Sequence, residues 1–454
     1  MEEANIDRAI GVLRIHPTNP RYFTDGSGKA VYLTGSHHWN SFQDRVISDR
    51  KPFDYNKYLD FFQKCNHNFI RLWVWEGSAS VKGEQNQFVY EPLPYQRTGT
   101  GIAFDDKPKF DLSQFNQTYF DRLRQRVISA RDRGIYVSIM LFQGWSIERK
   151  KSFRTNPWVF HPFNQNNNIN GVNGDANGNG EGEEVHTLSV PEVTRLQESY
   201  IQKVIDAVND LDNVLYEITN ESPSTTKEWQ YHIIRYIKQY EASKPKQHPV
   251  GMTYFYSGRA GTMGALFASP ADWISPSNDY NEETREYTYH YNDDPPISDG
   301  QKIILSDTDH IFGVGGNHIW VWKTFMRGHN PIYMDPIDIS YENQMEWNIS
   351  EIEQARVAMG HTRYYAQRMN LAEMTPRNDL ASTQYCLANP GKEYLVYLPD
   401  GGKVTVDLSA TSREFKVEWF NPRTGNKAYS GTVSEGLNRL FQAPFNGDAV
   451  IYIY

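Results

Sequence analysis

Short apolar runs alternate with longer segments of helical character through most of this chain, and that alternation constrains the fold more than any other feature. Eight runs have the length and composition of buried strands: Ala30–Gly35, Phe69–Trp75, Ile135–Leu141, Val214–Ile218, Val250–Tyr254, Trp273–Ser275, Lys302–Leu305 and Ile332–Met334. The helices predicted between and after them are Tyr55–Cys65, Tyr119–Arg133, Val190–Leu211, Thr226–Glu241 and Ile352–Asn370. Because eight strands that alternate with helices favour a closed parallel sheet, the pattern predicts an α/β fold, a (β/α)8 TIM barrel, over an open doubly wound sheet. The stretch between Phe312 and Arg327 fits no single pattern.

The pattern changes after Pro376. Five short strand-like runs follow, separated by turns rich in Gly and Asn: Tyr394–Leu398, Val404–Leu408, Phe415–Phe420, Arg439–Gln442 and Ala449–Tyr454. They predict a small all-β sandwich. Before the barrel, the residues around Leu13 and Tyr22 predict a hairpin that closes the barrel bottom. The chain is therefore predicted to divide into a catalytic barrel with an N-terminal hairpin at residues 1–376 and a β-sandwich accessory domain at residues 377–454.

Composition excludes several classes of protein. The chain has 454 residues, with 55 acidic against 46 basic side chains, which argues against a nucleic-acid binder because such proteins present a basic face. No apolar run approaches transmembrane length, so no membrane partner is expected. Two cysteines exclude a disulfide framework. The first residues lack the basic and apolar regions of a signal peptide, which leaves open an intracellular protein or a secreted or periplasmic form whose leader has been removed.

The ends of the fourth and seventh predicted strands carry carboxylates. Glu221 ends the run that begins at Asn213, at the strand end where barrel enzymes place their chemistry. Side chains two residues apart share a face of a strand, so Glu217 also points inward. A buried carboxylate needs a partner, and Arg71 or Arg14 is predicted to form a structural ion pair with it. By the same two-residue spacing, Asp307 and Asp309 both point inward if the seventh strand continues as far as Asp309.

Three segments resemble clan A glycoside hydrolases, the family 5-like (β/α)8 barrels: the second strand Asn68–Trp75, the pair Asn220–Glu221, and the seventh strand ending at Asp307. The resemblance implies that Arg71 is a site arginine, that Glu221 is the general acid/base, and that Asp307 is the nucleophile, with no cofactor and no metal. It also implies an oligosaccharide or polysaccharide substrate. The chain departs from the family at Asp307, where the family has Glu. The runs Gly391–Pro399 and Trp419–Gly425 resemble the β-domain of collagen-binding type that follows such barrels.

Glycosidic cleavage requires a proton for the leaving oxygen and a carboxylate that faces the anomeric carbon. Partial burial and a second negative charge raise the pKa of the donor, the role predicted for Glu221. Retaining enzymes hold the two carboxyl groups about 5–5.5 Å apart, and inverting enzymes about 6.5–9.5 Å. Retention is predicted, and the shorter side chain of Asp307 keeps inversion open.

Other polar and aromatic residues at strand ends are predicted to bind substrate. They are His37, His38, Trp39, Arg71, Trp75, Glu76, Trp145, Asn220, Asn278, Asp309 and His310. The imidazoles would donate hydrogen bonds to sugar hydroxyls. The indoles would stack on sugar rings or pack against loop walls, and the sequence favours neither use. Asp309 would bind a hydroxyl, cap the following segment or orient His310.

The region from His161 to His186 is rich in Asn and Gly and follows the third strand. Asp175, Asn177 and Asn179 match the start of a calcium loop, but the twelfth position is His186 in place of the bidentate Glu. This favours a polar loop that lines the cleft without a metal.

Two other functions remain open at this point. The first is a metal-dependent TIM-barrel hydrolase that uses His37, His38, Asp307, Asp309 and His310, although the usual His-x-His of the first strand is absent. The second is a carbohydrate-binding barrel that has lost catalysis through the change in the seventh strand.

Overall fold

The computed structural model describes residues 11–46, 52–82, 86–147, 155–256, 262–281, 284–336 and 349–454. Within them, eight parallel strands form a closed barrel in which each strand pairs with the next along the chain and the eighth pairs with the first. The strands are β1 (Gly35–His37), β2 (Phe69–Leu72), β3 (Tyr136–Gln143), β4 (Val214–Asn220), β5 (Val250–Thr253), β6 (Trp273–Ser275), β7 (Ile303–Asp307) and β8 (Asn330–Met334). The predicted TIM barrel is confirmed.

Helices surround the barrel. They are α1 (Tyr55–Lys64), α2 (Gln117–Arg131), α3 (Pro191–Val208), α4 (Lys227–Glu241), α5 (Thr262–Ala268), α6 (Thr308–Ile311), α7 (His318–Met326) and α8 (Ile349–Arg368). Local chemistry sets several starting points: Asp54 and Asn116 cap α1 and α2 through their side chains, and Pro191 occupies the first turn of α3. No helix within these described ranges is long and apolar enough to cross a membrane.

The first strand differs from its prediction. The run from Ala30 predicts a strand five residues before the observed start at Gly35. Val31 instead donates its backbone N–H to the carbonyl of Phe23, at 2.7 Å. The backbone N–H of Leu33 is bonded to the side chain of Asn330, and that of Thr34 to the side chain of Asn68. These bonds replace the parallel ladder, which therefore begins later.

A hairpin of Arg14–Ile15 and Phe23–Thr24 lies at the bottom of the barrel, where the strands begin. Leu13 and Phe23 are buried against apolar residues of the strands, among them Leu215 and Ile303. The apolar interior is thus closed at the bottom, and the polar side chains gather at the opposite end.

The loops at the opposite, C-terminal end of the barrel contain short antiparallel strands and single turns of 3-10 helix. The strands are Asp44–Val46, Ala79–Lys82, Asn86–Glu91, Tyr95–Gln96, Asp111–Phe115, Asp279–Asn281 and Glu286–Tyr289. The turns are Gly144–Ser146, Pro157–Phe160, Glu183–His186 and Ser224–Thr226. Residues 155–190 lie between β3 and α3, and we call them the β3 insertion.

The C-terminal region is an antiparallel β-sandwich, as predicted. Its strands are β9 (Cys386–Asn389), β10 (Glu393–Leu398), β11 (Lys403–Val406), β12 (Phe415–Phe420), β13 (Lys427–Val433), β14 (Arg439–Gln442) and β15 (Ala449–Ile453). The larger sheet has the order β9-β10-β15-β12-β13, and the strand Thr375–Pro376 pairs with β9 at its edge; β11 and β14 pair separately. Two 3-10 turns, Leu371–Glu373 and Asn378–Leu380, lead into it. Trp419 lies in the sandwich core. Cys65 and Cys386 are free and lie in separate domains.

Candidate active site

The polar ends of β1, β2, β4 and β7 meet at the C-terminal end of the barrel. His37 pairs in register with Arg71, and Gln143 pairs with Asn220. Because the strands are parallel and adjacent strands start at similar heights, side chains from distant parts of the sequence converge there.

Arg71 connects the carboxylates. Its guanidinium donates to both oxygens of Glu217, at 2.7 Å from Nε and 2.5 Å from Nη2, and both side chains are buried. The predicted ion pair of Glu217 is therefore confirmed, with Arg71 as the partner. Nη2 also donates to Oδ1 of Asn220 at 2.6 Å, while Nη1 lies 3.2 Å from Asp309 and 3.4 Å from Asp307. One cation thus binds the ends of β4 and β7 together.

Asp307 is the last residue of β7 and is almost fully buried. His37 Nε2 lies 2.9 Å from its Oδ1 and 2.8 Å from its Oδ2. Oδ1 also accepts the backbone N–H of Asp309 at 2.9 Å, so Asp307 is the N-cap of α6. Burial alone would raise the pKa of Asp307, but His37 and Arg71 hold it well below its ordinary value. Asp307 is therefore ionised.

Asp309 is two residues further on and has the opposite environment. Its side chain is more exposed than that of Asp307, 10 % against 4 %. Burial, followed by the negative charges of Glu221 and Asp307, raises the pKa of Asp309 well above its ordinary value, against the attraction of Arg71. Two neighbouring aspartates thus differ in their affinity for a proton, a pattern common in sites that perform acid–base chemistry.

His310 joins the same cluster through its neutral ring. Its Nε2 lies 3.1 Å from Oδ1 of Asn220, and its Nδ1 lies 2.9 Å from the hydroxyl of Ser275. Burial lowers the pKa of His310 to about 3, so the ring carries no charge near neutral pH. His310 and Arg71 therefore contact the same amide oxygen of Asn220.

Glu221 follows β4 directly and has a left-handed backbone with φ of +45°. The indole N–H of Trp145 donates a hydrogen bond to its Oε2 atom. Gly144, before Trp145, lies so close that a Cβ atom there would be 2.4 Å from the carbonyl oxygen of Glu221. The turn after β3 therefore supports Glu221 through both side chain and backbone.

Glu76 belongs to a second cluster that the sequence did not indicate. Its carboxylate accepts hydrogen bonds from His186 Nε2 at 2.8 Å and His161 Nε2 at 3.2 Å, and from the backbone N–H of Gln143 at 2.6 Å. Burial alone would raise the pKa of Glu76, but the two histidines lower it to about 2. His161 and His186 delimit the Asn/Gly-rich stretch, and that placement was the only signal for them in the sequence.

The remaining predicted residues have other surroundings. His38 is buried with its ring 6.0 Å from that of Phe53. The indole of Trp75 stacks on Tyr90 at 4.5 Å and donates to the carbonyl of Trp39 at 3.1 Å. Trp39 is partly buried, with the guanidinium of Arg45 5.1 Å from its ring. Asn278 lies three residues beyond β6, and its Oδ1 has no hydrogen-bond partner among the described residues.

The segment that matches the start of a calcium loop binds its own backbone. Oδ2 of Asp175 accepts the N–H of Gly180 at 2.9 Å, and Oδ1 of Asn177 accepts the N–H of Asn179 at 2.8 Å. In the part of the chain that the structure describes, no three His, Cys, Asp or Glu side chains are arranged to hold a metal ion.

Known structures share this architecture over nearly the whole chain. A protein titled "Glycoside hydrolase" aligns with a TM-score of 0.63 and 12 % identity, covering 98 % of this chain and 97 % of that one. A glycoside hydrolase family 5 protein from Bacteroides vulgatus aligns with a TM-score of 0.62 and 14 % identity, covering 98 % and 93 %. This chain has their fold. At such low identity the likeness establishes the architecture alone.

Two family models match parts of the chain. Residues 80–255 match "Domain of unknown function (DUF6298)", a segment that contains the β3 insertion and Glu221. Residues 373–452 match "Putative collagen-binding domain of a collagenase", which confirms the resemblance seen in the sandwich sequence. No functionally curated protein matches the sequence.

Proposed function

We propose that this protein is a glycoside hydrolase, with Glu221 as the proton donor and Asp307 as the nucleophile. The observation that carries the proposal is that Arg71 joins the ends of β4 and β7: its guanidinium contacts Asn220, the residue before Glu221, and also Asp307 and Asp309. The pKa values of the two aspartates are shifted in opposite directions. The fold shared with two proteins titled glycoside hydrolases supports the same assignment. The substrate class is an oligosaccharide or polysaccharide.

The proposed reaction is a double displacement. Asp307 is ionised, as a nucleophile must be, and one of its oxygens forms a bond to the anomeric carbon while the glycosidic C–O bond breaks. The leaving oxygen takes the proton of Glu221. Water then attacks the anomeric carbon, gives its proton to Glu221 and releases the carboxylate of Asp307. The anomeric configuration is retained.

Asp309 has a separate part in this proposal. Its charge and that of Glu221 repel each other, as the raised pKa of Asp309 reflects. Two facing carboxyl groups that cannot both ionise retain one proton between them. Asp309 would thereby help to keep a proton available at the donor, and its side chain, which is 10 % exposed, would bind a sugar hydroxyl.

A panel of aryl glycosides and polysaccharides tests the proposal. Glu221→Gln should lower turnover of substrates with poor leaving groups by roughly 10²–10⁴-fold. Asp307→Asn should abolish turnover, Asp307→Gly should recover part of it with azide, and Asp309→Asn should be the mildest of the three aspartate changes. Proton NMR should show a first product of retained configuration.

Three outcomes would contradict the proposal. A wild-type protein that binds sugars and hydrolyses none would be a binding barrel. An inverted first product would remove Asp307 from the nucleophile role. Azide rescue of Asp309→Gly, and not of Asp307→Gly, would transfer that role to Asp309.

A further inference from the structure

The β3 insertion carries two buried histidines that the proposed reaction does not use. His161 and His186 both direct Nε2 at Glu76, which also accepts the backbone N–H of Gln143. Glu76 therefore receives three hydrogen bonds and anchors the insertion to the ends of β2 and β3. The ring of His186 is held further by a parallel stack on Trp229, with 4.5 Å between the ring centroids.

The other nitrogen of His186 points to the residue that follows Glu221. Nδ1 lies 3.1 Å from the hydroxyl oxygen of Ser222, which lies 2.7 Å from that of Thr219. The carboxylate of Glu76 only accepts hydrogen bonds, so Nε2 of His186 carries the hydrogen of that contact. The contact of Nδ1 with Ser222 and the hydroxyl–hydroxyl contact between Ser222 and Thr219 continue from the ring. A continuous chain of hydrogen bonds therefore joins the end of β4 to Glu76.

Glu221 lies within this chain of contacts, in a strained conformation. A left-handed backbone at a non-glycine residue is unfavourable and persists only where the surroundings determine it. On one side, Asn220 is fixed by Arg71 and His310. On the other side, Ser222 is fixed by His186 and, through its carbonyl, by the backbone N–H of Tyr256 at 3.1 Å. Both neighbours of the strained residue are thus held.

We propose that His186 is a positioning residue for Glu221. It holds the hydroxyl of Ser222, Ser222 fixes the backbone turn that directs the Glu221 carboxyl, and Glu76 keeps the His186 ring in place. The β3 insertion is then a part of the machinery that aims the proton donor, in addition to being a wall of the cleft. The expected loss of turnover rests on the proposed function, whereas the expected displacement of the Glu221 carboxyl does not.

Two substitutions separate the Ser222 contact from the Glu76 contact. Ser222→Ala removes the hydroxyl. In His186→Gln, the amide nitrogen reaches the position of Nε2 and retains a donor to Glu76, while nothing replaces Nδ1. Ser78→Ala is the matched control, because Ser78 is also buried and its hydroxyl donates to the carbonyl of Phe160 in the same insertion, at 3.3 Å.

With a substrate that has a poor leaving group, Ser222→Ala and His186→Gln should each lower kcat by roughly 10–100-fold, the range expected when a catalytic group is misplaced. KM should stay within about twofold, since binding groups are unchanged. The loss should shrink with a leaving group that needs no proton. Ser78→Ala should keep the wild-type kcat. Thermal melts establish that each variant is folded.

An activity-independent measurement keeps this proposal distinct from the proposed function. The indole N–H of Trp145 is bonded to Glu221, so its NMR resonance, assigned with Trp145→Phe, reports on the position of that carboxyl. The resonance should move in Ser222→Ala and in His186→Gln, and not in Ser78→Ala. An unmoved resonance would overturn the positioning role, as would equal effects in all three variants. If Glu221→Gln retains wild-type activity while the resonance moves as expected, the proposed function fails and the positioning role stands.

Discussion

At the scale of single residues, the contact between Trp145 and Glu221 has a consequence for pH dependence. The indole N–H donates to a carboxylate oxygen of Glu221, and a hydrogen bond to the charged form stabilises that form. Trp145→Phe removes the donor, so the carboxyl should hold its proton to higher pH. Under the proposed function the alkaline limb of the kcat/KM profile reports loss of the Glu221 proton, and it should move to higher pH.

Trp320→Phe is the matched control for that measurement. Trp320 is also buried, and its indole N–H donates to the carbonyl of Tyr291 at 2.8 Å. This substitution should lower stability and leave the alkaline limb in place. A limb that stays fixed in Trp145→Phe, or moves to lower pH, would show that the indole does not stabilise the ionised carboxyl.

Residue-level chemistry was only partly predictable from the sequence. The two-residue phase of a strand predicts that Asp307 and Asp309 share a face, but it cannot show that β7 ends at Asp307 and that α6 begins beside it. The opposite environments of the two aspartates depend on that change of secondary structure. His37 reaches Asp307 across 270 positions of sequence, a contact that the fold creates and no local pattern encodes.

At the scale of secondary-structure elements, the turn after β3 approaches the end of β4 closely enough to require glycine at residue 144. A Cβ atom there would lie 2.4 Å from the carbonyl oxygen of Glu221 and 2.7 Å from Cα of Ser222. Gly144→Ala must therefore displace the backbone around Glu221. We expect kcat to fall by roughly 100-fold, with a loss of stability of about 1–3 kcal/mol.

Gly264→Ala provides the comparison, because Gly264 lies in α5 with open space where a Cβ atom would be placed. This change should keep activity and raise stability slightly, since alanine favours a helix over glycine by about 0.5–1 kcal/mol. Steady-state kinetics and urea unfolding of the two variants measure these expected changes in activity and stability. Equal and small effects of both substitutions would mean that the contact at Gly144 relaxes without moving Glu221.

The barrel strands have a clear apolar pattern and were predicted well. Several elements that lack such a pattern were not. The order of all eight barrel strands follows from their apolar runs, because strands buried on both faces are continuously hydrophobic. The strand β13 was missed, since its side chains are mostly exposed and lack an apolar face. The segment of α7 was left undecided, because it is buried almost all round and has no polar stripe.

At the scale of the whole molecule, the barrel and the sandwich share one apolar core. Trp322 of α7 is fully buried, with its ring 5.8 Å from that of Tyr397 and 6.2 Å from that of Phe420. Buried polar groups cross the same boundary: Glu418 of β12 accepts from Arg368 at 2.5 Å and from Tyr365 at 2.9 Å. An apolar interface of this kind favours a single rigid body over two mobile domains.

This shared core predicts that the two domains unfold together. Trp322→Ala should lower the free energy of unfolding by about 3–5 kcal/mol, because it opens a cavity between the domains. Hydrogen exchange followed by mass spectrometry should show faster exchange in peptides from β4 and from β10 to a similar extent. Tyr429→Ala, at a side chain that is 72 % exposed on β13, should change neither. Faster exchange in β10 with β4 unchanged would mean that the sandwich unfolds independently of the barrel, and that the position of Glu221 does not depend on the sandwich.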